Sequence, residues 1–344
     1  MEEKFFKPFD PRRIKHSQID DVSSAIGQYV AMSAELLSMP QVHVDACRLC
    51  GCKERAQEVT VSGFLWALCA ACHHYYKVHM PPHEDVLAWL KKGTPVEVYL
   101  HEEDFQYRLE NISQPKIDFV SSYHHGAPGR WLDVATGLAD IPHRLRQCGW
   151  EAEATEINSA FAEFATKNWG LTPQQKPLDE YYRDFTASGH PAFDVVSCFG
   201  YFDLQPKPLE HFQMANAMLK MGGLLGINQP NHDSLAGALA RHKPGRSLRA
   251  FIPGDYSYFS RKSLGYALDH SGFEIAGIWW HGLDVHDLIV QIIDGDPAFK
   301  DSDACALLWE HYNPLQKALD EGRKSDLLLV VARKVAEVKP DLAG

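Results

Sequence analysis

Residues 130–156 constrain this chain more than any other stretch. They read R-W-L-D-V-A-T-G-L-A-D-I-P-H-R-L-R-Q-C-G-W-E-A-E-A-T-E. The apolar run at 131–135 predicts a buried strand, Thr136-Gly137-Leu138 a turn, and 139–148 a helix. Pro142 falls early enough to be tolerated in the helix's first turn. Gly149 ends that helix, and 152–157 predicts a second strand closing on Glu156. Strand, glycine turn, helix, strand and acid make the first unit of a nucleotide-binding α/β sheet.

The turn discriminates between nucleotides. A dinucleotide turn uses G-x-G-x-x-G so that backbone can approach a pyrophosphate at a helix N-terminus. Those positions are Ala135, Gly137 and Asp140 here, and a carboxylate at the last would repel a pyrophosphate. S-adenosylmethionine has no phosphate and carries a cationic sulfonium, so carboxylates near the turn suit it. Glu156 lies nineteen positions after Gly137, where an acid can accept both ribose hydroxyls. The competing reading is an ordinary buried βαβ unit with a surface glutamate. The stretch resembles motif I and the following acid of class I S-adenosylmethionine-dependent methyltransferases.

Five of the eight cysteines fall between 47 and 72. Cys47-x-x-Cys50 and Cys69-x-x-Cys72 each place two thiolates on one knuckle, with eighteen residues between Cys50 and Cys69. Two such knuckles complete a tetrahedral four-sulfur site, which suits Zn²⁺. A closed four-thiolate site is structural rather than catalytic. Cys52, His73 and His74 are nearby substitutes for one ligand. Clustering of this kind reads as a metal site in a reducing compartment, not as a disulfide framework.

The remaining motifs extend the resemblance over most of 45–335. The ribbon C-R-L-C-G…C-A-A-C followed by P-P-H-E-D-V-L at 81–87 is similar to the N-terminal plan of bacterial small-molecule and sugar C-methyltransferases. F-D-V-V at 193–196, L-K-M-G-G at 219–223, Y-F-S-R-K-S-L at 258–264 and the apolar run at 326–335 follow in the family's order. The resemblance implies a Rossmann-like seven-stranded α/β sheet with its last strand antiparallel, preceded by a zinc ribbon and a helical N-terminal region. The implied division is an arm and helix at 1–44, the ribbon at 45–80, a helical linker or lid at 81–125, and the methyltransferase domain at 126–338 with a helical insertion at about 282–322. It also implies donor contacts from Asp133, Ala135, Gly137, Glu156, Ile157 and Phe199, with Asp184-Phe185 on the adenine edge. His124-His125-Gly126 is expected in a loop over the site. The family's Glu-His pair after strand four reads Asp203-Leu204 here, and its histidine near 255 is Asp255.

Methyl transfer from a sulfonium is an in-line displacement, and an oxygen, nitrogen or carbon acceptor usually needs a base. Asp203, His232, Asp255 and Tyr256 are candidates at the sheet edge, with His124 and His125 from the loop; Asp255 and His232 rank first, because a tyrosine needs a strongly lowered pKa. The expected reaction is methyl transfer to a small molecule, such as a sugar nucleotide or biosynthetic intermediate. Two rivals are a methyltransferase fold retained only for binding, and a protein or RNA methyltransferase that docks through its ribbon. A net charge of −11 without a Lys/Arg run disfavours nucleic acid, apart from a local patch at 241–249. No apolar run reaches membrane-spanning length, and a cytoplasmic location is expected. The amphipathic stretch at 19–37 predicts a helix for packing on the body or on a homodimer mate.

Overall fold

A computed structural model describes residues 2–92 and 104–340. The apolar runs form the middle of a seven-stranded sheet. Its order is Glu2–Phe5, Phe273–His281, Leu327–Lys334, Leu219–Pro230, Phe193–Phe199, Arg130–Val134 and Glu151–Ala154. Leu327–Lys334 runs antiparallel to both of its neighbours, and the other pairs are parallel. The fold is thus the α/β class expected, with the last strand reversed. The central strands are buried on both faces because helices cover both, which is why they read as continuous apolar runs. One layer packs Phe212, Met218 and Leu268 on the sheet; the other packs Ile117, Val120, Ile141 and Leu145 around Trp131.

Local signals placed the flanking helices. Asn158 accepts a hydrogen bond from the Ala160 amide at 2.9 Å and caps the helix Ser159–Trp169. Ser260 and Ser263 form a reciprocal capping box that starts Arg261–Asp269. Helices Asp284–Gly295, Asp303–Glu310 and Tyr312–Glu321 lie between the strands Phe273–His281 and Leu327–Lys334. The helix Val22–Ser38 lays Val22 and Ile26 against Leu248, Val285 and Ile289 of the body, leaving Val30 exposed.

Two expectations are corrected. The N-terminal arm is not merely extended: Glu2–Phe5 adds a parallel strand beside Phe273–His281. At the opposite edge, the pairing past Glu151–Ala154 continues among the described residues as a single parallel bridge, Thr155 to Gln174. The ribbon is also not closed at residue 80. Its sheet, Arg55–Val61, Phe64–Cys69 and Tyr75–Lys77, takes a fourth strand, Ser257–Tyr258, from the far side of the chain. The expected lid at 81–125 resolves into the helix His83–Lys92 and a helical run of Asp104–Arg108, a π turn Leu109–Ser113, and Gln114–Ser121. Residues 93–103 of that lid lie outside the described residues.

Candidate active site

Parallel strands gather loops at their C-terminal edge, the ligand edge of open α/β sheets. A cavity of about 1320 Å³ opens there. Ala135, Gly137, Glu156, Ile157 and Phe199 line it, five of the expected donor residues. Ala135 and Gly137 both adopt positive φ (52° and 60°), a left-handed turn that a glycine accepts without strain. That turn aims the Gly137 amide at Glu156, whose Oε2 accepts it at 2.6 Å. Oε1 accepts the Asn158 amide at 2.8 Å. Burial pushes the Glu156 carboxyl above its ordinary range, against the pull of these backbone donors.

Asp133 stands behind the wall rather than in it. It is buried and takes hydrogen bonds from the Thr136 hydroxyl (2.6 Å) and from Ser197, so it shapes the turn from below. Burial raises it to about 7. Asp140, expected to repel anions, is buried and answered by Arg108 at 3.1 Å and Ser113 at 2.5 Å.

The expected adenine pair is displaced. Asp184 and Phe185 lie inside the helix Leu178–Ser188. Asp184 is exposed and bonds Lys176, while Phe185 stacks on Phe193. Lys176 and Pro177, just before that helix, and Leu178 and Asp179 in its first turn reach the cavity instead. The His124-His125 loop is at the wrong edge: it leads into the N-terminal end of Arg130–Val134, with His124 against Trp150.

The catalytic candidates scatter. His232 does not line the cavity; its Nε2 meets the His73 carbonyl at 2.9 Å and ties the ribbon to the sheet edge. Tyr256 is buried, with its hydroxyl 3.2 Å from His83 Nδ1. Asp255 reaches the cavity wall but accepts the Tyr258 hydroxyl. Burial, reinforced by Asp203, raises Asp255 well above the carboxylate range against Tyr258 and Lys77, which takes it from the anionic form a base needs. Asp203 accepts Gln229 Nε2 at 2.8 Å and burial lifts it to about 6.

Two histidines that the sequence reading passed over do line the cavity. His211 Nδ1 lies 2.8 Å from the Tyr201 hydroxyl, and His83 meets Tyr256. Burial lowers His211 to about 4, so it is neutral at physiological pH. The signal was present: Glu210-His211 is a Glu-His pair, carried into the cavity by the first turn of Pro208–Met218 rather than directly after the strand.

The ribbon cysteines converge. Cys47 and Cys72 sulfurs lie 3.7 Å apart, Cys50 and Cys69 3.5 Å, and all four sit within 4.8 Å of one another. Tetrahedral zinc–thiolate bonds of about 2.3 Å require sulfur separations of about 3.8 Å, so this donor set fits Zn²⁺. Cys52 points to the Glu54 carbonyl and His74 sits edge-on to Phe259, so neither joins the cluster. Gly51 and His73 both have positive φ after their cysteine pairs, so His73 holds the glycine's conformation at the second knuckle.

A family model described as a methyltransferase domain matches residues 102–277, just over half of the chain. The chain belongs to this family. It is an S-adenosylmethionine-dependent methyltransferase. Solved methyltransferases resemble it at low identity. One is an S-adenosylmethionine-dependent methyltransferase from Archaeoglobus fulgidus, 16% identical over 68% of this chain and 97% of that one, with a TM-score of 0.46. Another is the geranyl diphosphate C-methyltransferase of Streptomyces coelicolor A3(2), 13% identical over 74% and 98%, with a TM-score of 0.43. A search of curated protein sequences returns no match. Among the described residues of this methyltransferase, no helix is long and apolar enough to cross a membrane.

Proposed function

We propose that this methyltransferase binds its donor across Gly137 and Glu156 and transfers the methyl group to a small-molecule acceptor, such as a sugar nucleotide or another biosynthetic intermediate. One observation carries the reading: the Glu156 carboxylate closes on the Gly137 amide at the wall of the cavity. In that position it can exchange a backbone partner for the donor's ribose hydroxyls. Pockets for one drug-sized ligand run to about 300–1,000 Å³, so about 1320 Å³ suits a donor and a small acceptor together.

The donor supplies an electrophilic methyl group. This chain's residues orient the two ligands and receive the proton. His211 takes that proton on the nitrogen not engaged by Tyr201, and Tyr201 fixes the ring. Asp255, Tyr256 and His232 act as positioning residues that hold the ribbon to the cavity. Cys47, Cys50, Cys69 and Cys72 hold a structural Zn²⁺.

Glu156→Ala should weaken S-adenosylhomocysteine binding by about 1–3 kcal/mol, the cost of losing charge-assisted hydrogen bonds. Unchanged calorimetric affinity would remove Glu156 from the donor site. His211→Gln should cut turnover by about 10²–10⁴ while the donor still binds. Full turnover in that variant would exclude His211 as the base.

A further inference from the structure

A second polar region at the same sheet edge is built from cations. Lys7 and Lys15 come from the N-terminal segment, Arg108 and Lys116 from either side of the π turn Leu109–Ser113, and Arg249 from the loop after Leu235–His242. His281 ends the strand Phe273–His281, with Nε2 3.2 Å from Asn228 Oδ1. Lys7 donates to the Asn111 carbonyl in the π turn. Lys116 Nζ stands 5.1 Å from the centroid of Phe199, and Phe199 and Arg108 both line the main cavity. The cluster therefore adjoins the end of the strand where the methyl group is expected.

Its charges do not balance. Asp140 answers Arg108 at 3.1 Å, and Asp326 answers Arg249 at 2.6 Å. Among the described residues, no carboxylate lies within ion-pair distance of Lys7, Lys15 or Lys116. Loss of hydration is the main cause lowering Lys7 and Lys15 to about 7 and Lys116 to about 8. Neighbouring cations add to it: Lys116, Arg108 and Lys4 on Lys7; Arg249 and Arg108 on Lys15, against Asp326; Arg108 and Arg249 on Lys116, against Asp140 and Asp133. Each lysine is half-buried.

We propose that Lys7, Lys15, Arg108, Lys116 and Arg249 form the seat of a diphosphate group carried by the methyl acceptor. The proposal rests on the methyltransferase reading for the position of the donor. Three lysines lack an anionic partner. The donor's single carboxylate would neutralise one, whereas a diphosphate brings roughly two to three negative charges. Guanidinium and ammonium groups together suit phosphate oxygens, the first by its fork and the second as a point charge.

The test is calorimetric titration of the full chain with inorganic pyrophosphate, with and without saturating S-adenosylhomocysteine. Pyrophosphate should bind in both cases, and more tightly than inorganic phosphate by about tenfold. At pH 8 its binding should draw in protons, seen by repeating the titration in buffers of different ionisation enthalpy, because the anion restores charge to Lys7, Lys15 and Lys116. Lys116→Gln and Lys15→Gln should each weaken pyrophosphate by about tenfold and leave melting temperature and S-adenosylhomocysteine affinity in place. If one of them fails to fold, the other carries the comparison, with the exposed Lys262→Gln as control. Protein that binds S-adenosylhomocysteine but not pyrophosphate would overturn the proposal and leave the donor reading intact. Mutual exclusion of the two would overturn it by giving the cluster to the donor's own carboxylate. Pyrophosphate binding without S-adenosylhomocysteine binding would uphold the anion seat and refute the donor site.

Discussion

Two polar regions flank the cavity, and they differ in how their charges are answered. At the ribbon junction, Lys77 is fully buried and donates to the Pro253 and Ile252 carbonyls beside Asp255. Asp255 has the Tyr258 hydroxyl, and Asp203 has Gln229. His232 bonds the ribbon backbone, and Ser257–Tyr258 extends the ribbon sheet. In the cation cluster Arg108 has Asp140, Arg249 has Asp326 and Lys7 has the Asn111 carbonyl, but among the described residues no carboxylate pairs with Lys7, Lys15 or Lys116. Buried polar groups that find partners inside the chain hold a fold together; those left without partners cost stability unless a ligand answers them. The first region is therefore read as a joint and the second as a site, although both are rich in ionisable side chains.

The largest effect that would break this contrast is at the ribbon itself. Removing the metal with a chelator, or Cys69→Ser, should collapse the ribbon and expose the junction, since structural zinc supplies apparent binding energies of about 10–16 kcal/mol in small domains. Circular dichroism with metal analysis checks it. A chelated, metal-free enzyme that keeps its melting temperature would refute a structural role for the cysteines. Next, Lys77→Met should lower unfolding free energy by about 1–3 kcal/mol, because the buried Pro253 and Ile252 carbonyls lose their donor. Denaturant titration reads that loss.

Lys116→Met should do the reverse and leave stability within about 0.5 kcal/mol or raise it. The pH dependence sharpens this. The native pKa of Lys116 lies at about 8, below the free lysine value, so the native state sheds its proton first as pH rises. Stability from this group is lowest below pH 8 and recovers as pH climbs towards the unfolded value of about 10.4. Lys116→Met should thus be most stable relative to wild type near pH 7, with the advantage fading by pH 10. A constant difference across that range would show that Lys116 is not held as an uncompensated cation.

The sequence disclosed what short range determines. The glycine turn and the cysteine knuckles follow from neighbours within a few positions. So did Glu156, because one βαβ unit fixes its distance from Gly137. What long range determines stayed hidden. Glu2–Phe5 pairs with a strand some 270 residues away, and its short alternation does not announce a sheet edge. Lys7, Lys116 and Arg249 meet only in the folded chain, so no run of basic residues betrayed them. His232 and Asp255 had the right residue types at the right edge, but the ribbon claimed them when it recruited Ser257–Tyr258. Asp184-Phe185 had the residue types of an adenine-edge pair but lies inside the helix Leu178–Ser188.

The most direct measurement is calorimetric titration of the purified wild-type chain with S-adenosylhomocysteine. One site per chain with micromolar affinity is expected, reached through the cavity wall at Gly137 and Glu156. Absence of binding by folded, metal-loaded protein would contradict it, and the cavity would then need a ligand of different chemistry.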